Sequence, residues 1–245
     1  MRYFEGHEAI YASRLASGSD GWDDGAYDDF ALREVVLSWL ASSSSAKPGA
    51  KILELGCGTG ALSCMLAERG FRVVGVDASS SAISFARSVV SKRALDAVFA
   101  VADVCTLDLK DAQFDVVIDS HLLHCIALPK ERRQLLSRIS NSLTSDGEFW
   151  TETMTLHEDF QESPGRRIDR AGTVWTTVDD PTRFSDAVFE GGGWWIPMRY
   201  VSPNAEALLE EFAAANLRPV EWRLVPPSVP GDMADFRARL ARCSP

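Results

Sequence analysis

The chain has 245 residues, enough for one large domain or a domain with an elaborated cap. Its composition, 46% hydrophobic and 24% charged, is that of an ordinary globular protein. The formal net charge is -10, and the longest basic runs are pairs such as Lys92-Arg93 and Arg132-Arg133. Because a groove for a polyanion needs a local surplus of Lys and Arg, nucleic acid is disfavoured as a partner.

The N-terminus and the cysteines bear on where the protein works. No apolar run reaches the roughly 18 residues of a membrane span, and the start, MRYFEGHEAIYASRL, lacks the apolar core of a signal peptide. The five cysteines are scattered without a C-x-x-C pair, which is typical of reduced thiols and not of a disulfide framework or a zinc site. We therefore expect a cytoplasmic protein that contacts no membrane and holds no metal.

The N-terminal region, residues 1–47, is expected to form a helical cap. Apolar residues recur at helical spacing through Asp28–Leu40 behind acidic residues, and this pattern predicts a helix. The serine-rich patch Ser42–Ser45 and the Ala46-Lys47-Pro48-Gly49 stretch after it predict a loop that leads into the first strand.

From Lys51 to about residue 155, short apolar runs alternate with helical patterns. The runs predict five strands, at Lys51–Leu55, Phe71–Val76, Ala97–Val101, Phe114–Asp119 and Gly147–Thr155. The patterns between them predict helices at Ala61–Arg69, Ser79–Lys92 and Leu128–Leu143. Such an alternation is typical of βαβ units, so it predicts a parallel sheet with helices on both faces.

The pattern breaks after the fifth strand. Leu156–Val201 holds turns and aromatic residues but no long periodic element, so we expect an irregular insertion there. A helix is predicted at Asn204–Asn216 and a strand at Val220–Val225. The spacing of apolar residues in Asp235–Arg242 fits either a helix or a last strand.

Three glycines follow the first strand directly, in the stretch KILELGCGTGALSC at Lys51–Cys64. Gly56, Gly58 and Gly60 each cost conformational entropy, so their cluster predicts that something comes close to the backbone. In an open parallel sheet, ligands bind at the carboxyl ends of the strands. A glycine-rich turn there, with a helix after it, offers free N–H groups to a ligand.

Acidic residues end the next two strands. Asp77 follows the second strand and is well placed to bind both hydroxyls of a ribose, while Asp103 follows the third and is placed to receive an adenine amino group. Each has a plainer alternative, because Asp77 also fits a helix cap with Ser79–Ser81 and Asp103 fits an ordinary turn residue.

Two cofactors fit this arrangement of glycines and acids. The six residues from Gly56 to Ala61 formally satisfy the dinucleotide fingerprint G-x-G-x-x-G/A. The longer stretch from Glu54 to Gly60 resembles the E-x-G-x-G-x-G motif of class I S-adenosylmethionine-dependent methyltransferases. With Val76-Asp77-Ala78, Ala102-Asp103 and the Phe114-Asp115-Val116-Val117 run before His124, residues 50–155 are similar to that superfamily.

The resemblance implies a Rossmann-like, doubly wound α/β fold with a mostly parallel, seven-stranded sheet. It implies that Asp235–Arg242 is the closing strand, because relatives end their sheet that way. The whole chain, 1–245, would be a single methyltransferase domain. Its parts are the N-terminal cap at 1–47, the cofactor-binding core at 50–155, a substrate-cap insertion at 156–201 and the C-terminal completion of the sheet at 202–245.

The resemblance also implies S-adenosylmethionine as the cofactor and a set of contacts to it. A carboxylate at Glu54 suits the amino-acid end of a cationic sulfonium ligand, whereas it would repel the pyrophosphate of a dinucleotide. Asp119 would close the site near the sulfonium, and Tyr11 is the N-terminal aromatic expected to close over the cofactor. The remaining implied contacts are Gly56, Cys57 and Gly58 to the methionine part, Asp77 to the ribose, and Ala78, Asp103 and Val104 to the adenine.

Methyl transfer needs an aligned acceptor and, for a hydroxyl or a protonated amine, a base within reach. His121 and His124 follow the fourth strand and are the catalytic candidates, with His157 after the fifth strand as a third. Each of them also fits a packing or loop histidine. The aromatic insertion, with Trp175, Trp194, Trp195 and Arg199, favours a small organic acceptor.

Three alternatives remain open from the sequence. The first is an NAD(P)-dependent oxidoreductase, disfavoured by Glu54 and by the absence of a clear Tyr/Lys or His/Asp pair. The second is a protein or RNA methyltransferase of the same fold; Asp119-Ser120-His121-Leu122 stands where an Asn/Asp-Pro-Pro-aromatic motif would mark base or glutamine methylation. The third is a cofactor-binding protein without catalysis, disfavoured by intact cofactor motifs.

Overall fold

The computed structural model describes residues 2–22, 25–110, 113–160 and 165–243. Strands β1 to β5 are Lys51–Leu55, Arg72–Asp77, Ala97–Val101, Phe114–Ser120 and Leu143–Thr155. Strands β6 to β11 are Arg166–Ile168, Thr173–Thr177, Val188–Glu190, Gly193–Tyr200, Leu217–Val225 and Ala234–Arg242. Helices α1 to α6 are Gly6–Ala16, Arg33–Ser42, Ala61–Glu68, Ser80–Arg93, Pro129–Ser142 and Ala205–Ala214.

Seven strands form one sheet in the order β10-β11-β5-β4-β1-β2-β3. Every neighbouring pair is parallel except those of β11, which runs antiparallel to both β5 and β10. The predicted seven-stranded, mostly parallel sheet is confirmed, and 235–242 is its closing strand. The strand order reverses between β1 and β4, and this switch point leaves a crevice at the carboxyl edge where ligands bind in such sheets.

Helices cover both faces of this sheet, which explains why β1 is buried along nearly its whole length. Leu53 and Leu55 pack with α5 and α6, in the same buried cluster as Leu135 and Phe212. Ile52 points the other way and packs with α2 and α3. The longest helices, α4 and α5, have 14 residues each, and in the described parts of the chain no helix is long and apolar enough to cross a membrane.

The N-terminal cap differs in detail from the prediction. A helix, α1, that the pattern analysis did not identify begins at Gly6, and α2 begins at Arg33 instead of Asp28. The residues before α2 are used elsewhere, because Asp28 receives two hydrogen bonds from Arg93 at the end of α4, at 2.9 and 3.0 Å. The Tyr27 hydroxyl donates to the Thr59 carbonyl at 2.9 Å. This segment therefore runs across the glycine turn instead of extending a helix.

The insertion after β5 is not irregular, and that expectation was wrong. It contains a four-stranded antiparallel sheet in the order β6-β7-β9-β8. Two of its strands have only three residues and most of the strand positions are partly exposed, so they lack the alternation of buried positions that would have indicated them. Gly191 and Gly192, at φ 59° and 80°, form the two-residue turn of the β8–β9 hairpin, where a primed turn requires two positive φ values.

Candidate active site

A cavity of about 430 Å³ opens at the carboxyl ends of β1 to β5. The α1 region contributes to its lining, as do the segment before α2 and one residue of the insertion sheet. Except for Asp119, the residues predicted for the cofactor all line it: Tyr11, Glu54, Gly56, Cys57, Gly58, Asp77, Ala78, Asp103 and Val104. The two catalytic candidates His121 and His124 line it as well.

The glycine turn lies tightly against β2 and against side chains of the protein itself. The N–H groups of Gly56 and Cys57 both donate to the Val76 carbonyl, at 2.8 and 3.0 Å. Gly56 and Gly58 have φ values of 69° and 51°, which L side chains rarely adopt. A Cβ on Gly56 would lie 2.6 Å from the Cβ of Leu122, and one on Gly58 would meet the Tyr11 hydroxyl. The turn is therefore closed to side chains from both directions.

Asp77 holds this turn to the start of α4. Its carboxylate accepts from the Gly58 N–H at 2.9 Å and from the Ser79 N–H at 2.8 Å. The capping role that the sequence left open thus exists, although the N-cap proper is Ser79, whose hydroxyl accepts from Ala82 N–H at 3.1 Å. Burial raises the pKa of Asp77, and the two backbone hydrogen bonds oppose that rise.

Glu54 is a buried acid with no basic partner among the described residues. It is 2% exposed, and its Oε2 accepts from the Ser63 hydroxyl at 2.5 Å. Burial raises the pKa of this carboxyl to about 8, against the lowering effect of the Ser63 hydrogen bonds. A buried carboxyl on a cavity wall favours a cationic ligand, because an opposite charge restores the ionised form.

Helix α1 covers the cavity because Glu8 anchors it to the start of α4. Its carboxylate accepts from the hydroxyls of Ser79 and Ser81, both at 2.6 Å. These hydrogen bonds lower the pKa of Glu8 to about 2. Tyr11, one helical turn further along, lies over the glycine turn with its ring 5.5 Å from that of Trp22. Sequence reasoning missed Glu8, and the serine run opposite it was the only signal.

His121 is held by an acid that the sequence analysis did not single out. Its Nε2 lies 3.0 Å from Oε1 of Glu152, a buried residue of β5. The other carboxylate oxygen of Glu152 accepts a hydrogen bond from Nε of Arg237 on β11. Burial alone lowers the pKa of His121, but the hydrogen bond and charge of Glu152 outweigh it, so the pKa is raised. His121 itself has a φ of 66°, a conformation rare for a residue with a side chain and found at functional sites.

His124 has a different environment from its neighbour. It is 5% exposed, and among the described residues its Nδ1 has no hydrogen-bond partner. Burial, followed by the positive charges of His121 and Arg199, lowers its pKa well below the ordinary value. The two imidazole rings lie 6.1 Å apart, edge to face. His124 is therefore a neutral ring with one unused polar atom beside the cavity.

Asp119 lies under the turn that carries these histidines and does not line the cavity. Its Oδ1 accepts from the N–H groups of Leu122 and Leu123, at 2.7 and 2.9 Å, and its Oδ2 accepts from the Thr151 hydroxyl at 2.6 Å. Burial raises its pKa to about 6. Asp119 therefore stabilises the turn after β4, because the backbone N–H groups of that turn donate to its carboxylate.

His157, the third histidine candidate, lies just beyond β5 and is not part of the cavity lining. Together with Glu158 and Asp159 it places three possible metal-ligand atoms within 4.8 Å of one another. Both acids are exposed, and exposed acidic groups commonly lie together without an ion. We assign no metal to this cluster.

Comparison with known proteins identifies the family. Residues 46–181 match the family described as "Methyltransferase domain". This match covers more than half of the chain, which therefore belongs to that family, as the motif resemblance predicted. S-adenosylmethionine is the methyl donor of this class of enzymes, and the comparisons support the predicted cofactor.

Individual relatives differ in what they methylate. A cypemycin N-terminal methyltransferase from a Streptomyces species is 33% identical over 178 residues, which are 64% of this chain and 71% of that protein. A 2-heptyl-1-hydroxyquinolin-4(1H)-one methyltransferase from Mycobacteroides abscessus is 40% identical over 84 residues, 34% of this chain. The present chain spans only 36% of the length of that second relative.

The crystal structure of a 1,6-didemethyltoxoflavin-N1-methyltransferase from Burkholderia thailandensis has the same fold. It contains 1,6-didemethyltoxoflavin and S-adenosylhomocysteine. The two structures superpose with a TM-score of 0.64, covering 97% of this chain and 88% of that one. At 20% identity, this likeness establishes the fold and not the substrate.

Proposed function

We propose that the protein transfers a methyl group from S-adenosylmethionine to a small organic molecule. The observation that carries the proposal is the cavity itself. It joins the glycine turn and the acids after β1 to β3 to a histidine, His121, that is held by a buried glutamate. Neither half alone would distinguish a cofactor-binding protein from an enzyme.

The cofactor half fits a cationic adenosyl ligand. Asp77 is the residue we expect to bind the ribose hydroxyls, with Ala78, Asp103 and Val104 around the adenine. The methionine part would lie along the turn from Gly56 to Gly58, with its ammonium toward Glu54 and Tyr11 closing over it. A dinucleotide would instead bring its pyrophosphate toward the buried Glu54, whose ionisation that negative charge would oppose, so the carboxyl would give it no attraction.

The acceptor half fits a general base. When bound, the cofactor supplies an electrophilic methyl group whose bonding electrons remain on the sulfur. His121 takes the proton that the acceptor atom loses as its lone pair forms the bond to the methyl carbon. Glu152 stabilises the imidazolium that results and fixes the orientation of the ring, and Arg237 holds Glu152.

Enclosure supports a small acceptor. Helix α1 and the insertion sheet both contribute to the cavity wall, and the His121 side chain is 42% exposed, so a small acceptor can enter the cavity and reach the ring. The Mycobacteroides and Burkholderia relatives are named for small heterocycles. The cypemycin enzyme is named for a peptide N-terminus, so short peptides belong in any panel of acceptors.

Calorimetric titration with S-adenosylmethionine, S-adenosylhomocysteine and NADH tests the cofactor. We expect both adenosyl compounds to bind, NADH not to bind, and Asp77→Ala to lose about a hundredfold or more in affinity, because two charge-assisted hydrogen bonds disappear. Asp96→Ala, an exposed acid before β3, is the matched control. Binding of NADH without either adenosyl compound would refute the proposal. A labelled-methyl screen of small acceptors and short peptides then tests the transfer.

A further inference from the structure

Arg199 is a cation in the cavity wall with no acidic partner in the part of the chain that the structure describes. It lies on β9 of the insertion sheet, is half-buried and lines the cavity. Its Nη1 lies 3.7 Å from the sulfur of Met154, and a thioether is only a weak acceptor. Among the described residues no carboxylate lies within ion-pair distance of it. A guanidinium carries five donors in a planar fork, and here they are turned to a ligand cavity.

The unused Nδ1 of His124 is a second, independent sign at the same end of the cavity. The positive charge of Arg199 lowers the pKa of His124 and opposes the rise in the pKa of Cys125 that burial causes. The charge of His121 also lowers the pKa of His124. The His124 ring is nine-tenths buried or more, and a buried polar atom without a partner is costly unless a ligand supplies one. Arg199, His124 and His121 all line the cavity, and the His124 and His121 rings lie 6.1 Å apart.

The rest of the cavity has the opposite charge. The acids that line it are Asp20, Asp29, Glu54, Asp77 and Asp103, whereas Arg199 is the one Lys or Arg among the described lining residues. The carboxylates suit a cofactor with a net positive charge. They give no reason for an arginine, which needs an anion, and the one anion of the cofactor is the carboxylate of its methionine part.

We propose that Arg199 and His124 Nδ1 form an anion-binding subsite, and that the methyl acceptor is a small organic acid whose carboxylate binds there. This inference rests on the proposed function. A planar guanidinium binds a carboxylate through two parallel hydrogen bonds, and Nδ1 as donor supplies a third. In this arrangement the carboxylate anchors the acceptor and is not the methylated group. The acceptor atom is a hydroxyl or amine of the same molecule, directed to His121.

One competing role for Arg199 is to bind the carboxylate of the cofactor's methionine. Its contact with Met154 places Arg199 at the end of β5, and β4 separates β5 from β1 with its glycine turn. That position favours the acceptor side of the cavity. Cofactor affinity distinguishes the two roles directly, so it is measured first.

The experiment compares the wild type with Arg199→Gln and with Arg170→Gln, an exposed arginine in the same insertion. Melting temperatures first show that each variant is folded, and calorimetry gives its affinity for S-adenosylhomocysteine. The protein saturated with S-adenosylhomocysteine is then titrated with two matched pairs of probes, and ligand-observed NMR measures the binding of each probe. The pairs are benzoate with benzamide and 4-hydroxybenzoate with 4-hydroxybenzamide.

We expect the acids to bind the loaded wild type about tenfold to a hundredfold more tightly than their amides, as for a charge-assisted pair. Arg199→Gln should abolish this preference and Arg170→Gln should keep it, with S-adenosylhomocysteine affinity unchanged in both. Loss of S-adenosylhomocysteine binding in folded Arg199→Gln would overturn the subsite and assign Arg199 to the cofactor. Equal binding, or no binding, of acids and amides to the loaded wild type would overturn the acidic acceptor while leaving the methyltransferase proposal intact. Failure of the wild type to bind S-adenosylhomocysteine would refute both proposals.

Discussion

The two halves of the cavity are built in different ways. The cofactor half consists of a continuous backbone feature, the glycine turn, and of acids that end neighbouring strands. The acceptor half is assembled from distant parts of the chain: His121 after β4, Glu152 on β5, Arg237 on β11 and Arg199 in the insertion. In the proposed function, the first half recognises a ligand common to a family, whereas the second is free to vary with the acceptor.

The two halves should separate in function, and His121→Gln is the strongest test. Removing a general base is expected to lower methyl transfer by about 10²- to 10⁴-fold, while S-adenosylhomocysteine affinity stays as in the wild type. His157→Gln, a histidine outside the cavity lining, should retain full activity. Single-turnover experiments measure the rate of methyl transfer, and calorimetry measures the affinity for S-adenosylhomocysteine. A parallel loss of cofactor affinity and rate would show that the halves are not independent.

Gly58→Ala tests the backbone half. Gly58 has a φ of 51°, and a Cβ there would meet the Tyr11 hydroxyl. We expect affinity for S-adenosylhomocysteine to fall about tenfold, since the left-handed conformation alone costs an L residue roughly 1–2 kcal/mol and Tyr11 must also move. Gly49→Ala is the matched control, with a φ of 81° and no atom within 4 Å of the added Cβ. It should lower stability comparably and leave affinity unchanged. Equal affinity of the two variants for S-adenosylhomocysteine would contradict the claim that the turn at Gly58 has no room for a side chain.

The pH dependence of the acceptor half follows from Glu152. Its hydrogen bond and charge keep the pKa of His121 above the ordinary value, and only the neutral ring accepts a proton. Methyl transfer should therefore rise with pH through the pKa of His121. Glu152→Gln removes the stabilising charge, so the pKa of His121 falls and the midpoint of the rate profile moves to lower pH. NMR titration of the ring protons measures the pKa of His121 in the wild type and in Glu152→Gln, with His157 as internal reference. An unchanged pKa of His121 in the variant would exclude the interaction with Glu152.

The smallest expected effect concerns Glu54. Its pKa of about 8 leaves the carboxyl mostly protonated at pH 7, whereas a cationic cofactor binds the ionised form better. Binding of S-adenosylmethionine at pH 7 should therefore release a fraction of a proton, and affinity should increase with pH up to about 8. Calorimetry in buffers of different ionisation enthalpy measures the release. Glu54→Gln should release none, and release that persists in this variant would assign the proton to another group.

The positions of the cofactor candidates around the cavity were largely predictable because their signals are local. A strand, a glycine turn and a helix follow one another from Lys51, so residues near in sequence are also near in space, and Asp77 and Asp103 end strands whose place in a parallel sheet is known in advance. The first five strands and their parallel arrangement followed from the same alternation, whereas the total of seven strands and the closing strand were taken from the resemblance. Asp119 was the exception: its position after β4 was predicted, but not that the turn's own N–H groups would take its carboxylate.

The acceptor half was decided by tertiary structure. A glutamate within a predicted strand gives no sign that it will meet His121, which lies 31 positions earlier in the chain. The contact arises because β4 pairs with β5 in a register that sets Glu152 opposite Ser120, the residue just before His121. The insertion sheet was missed because most of its strand positions are only partly buried and do not alternate, so nothing local placed Arg199 in the cavity wall. Backbone motifs can be recognised from sequence since they are contiguous. Side-chain constellations form only when long-range packing brings their members together.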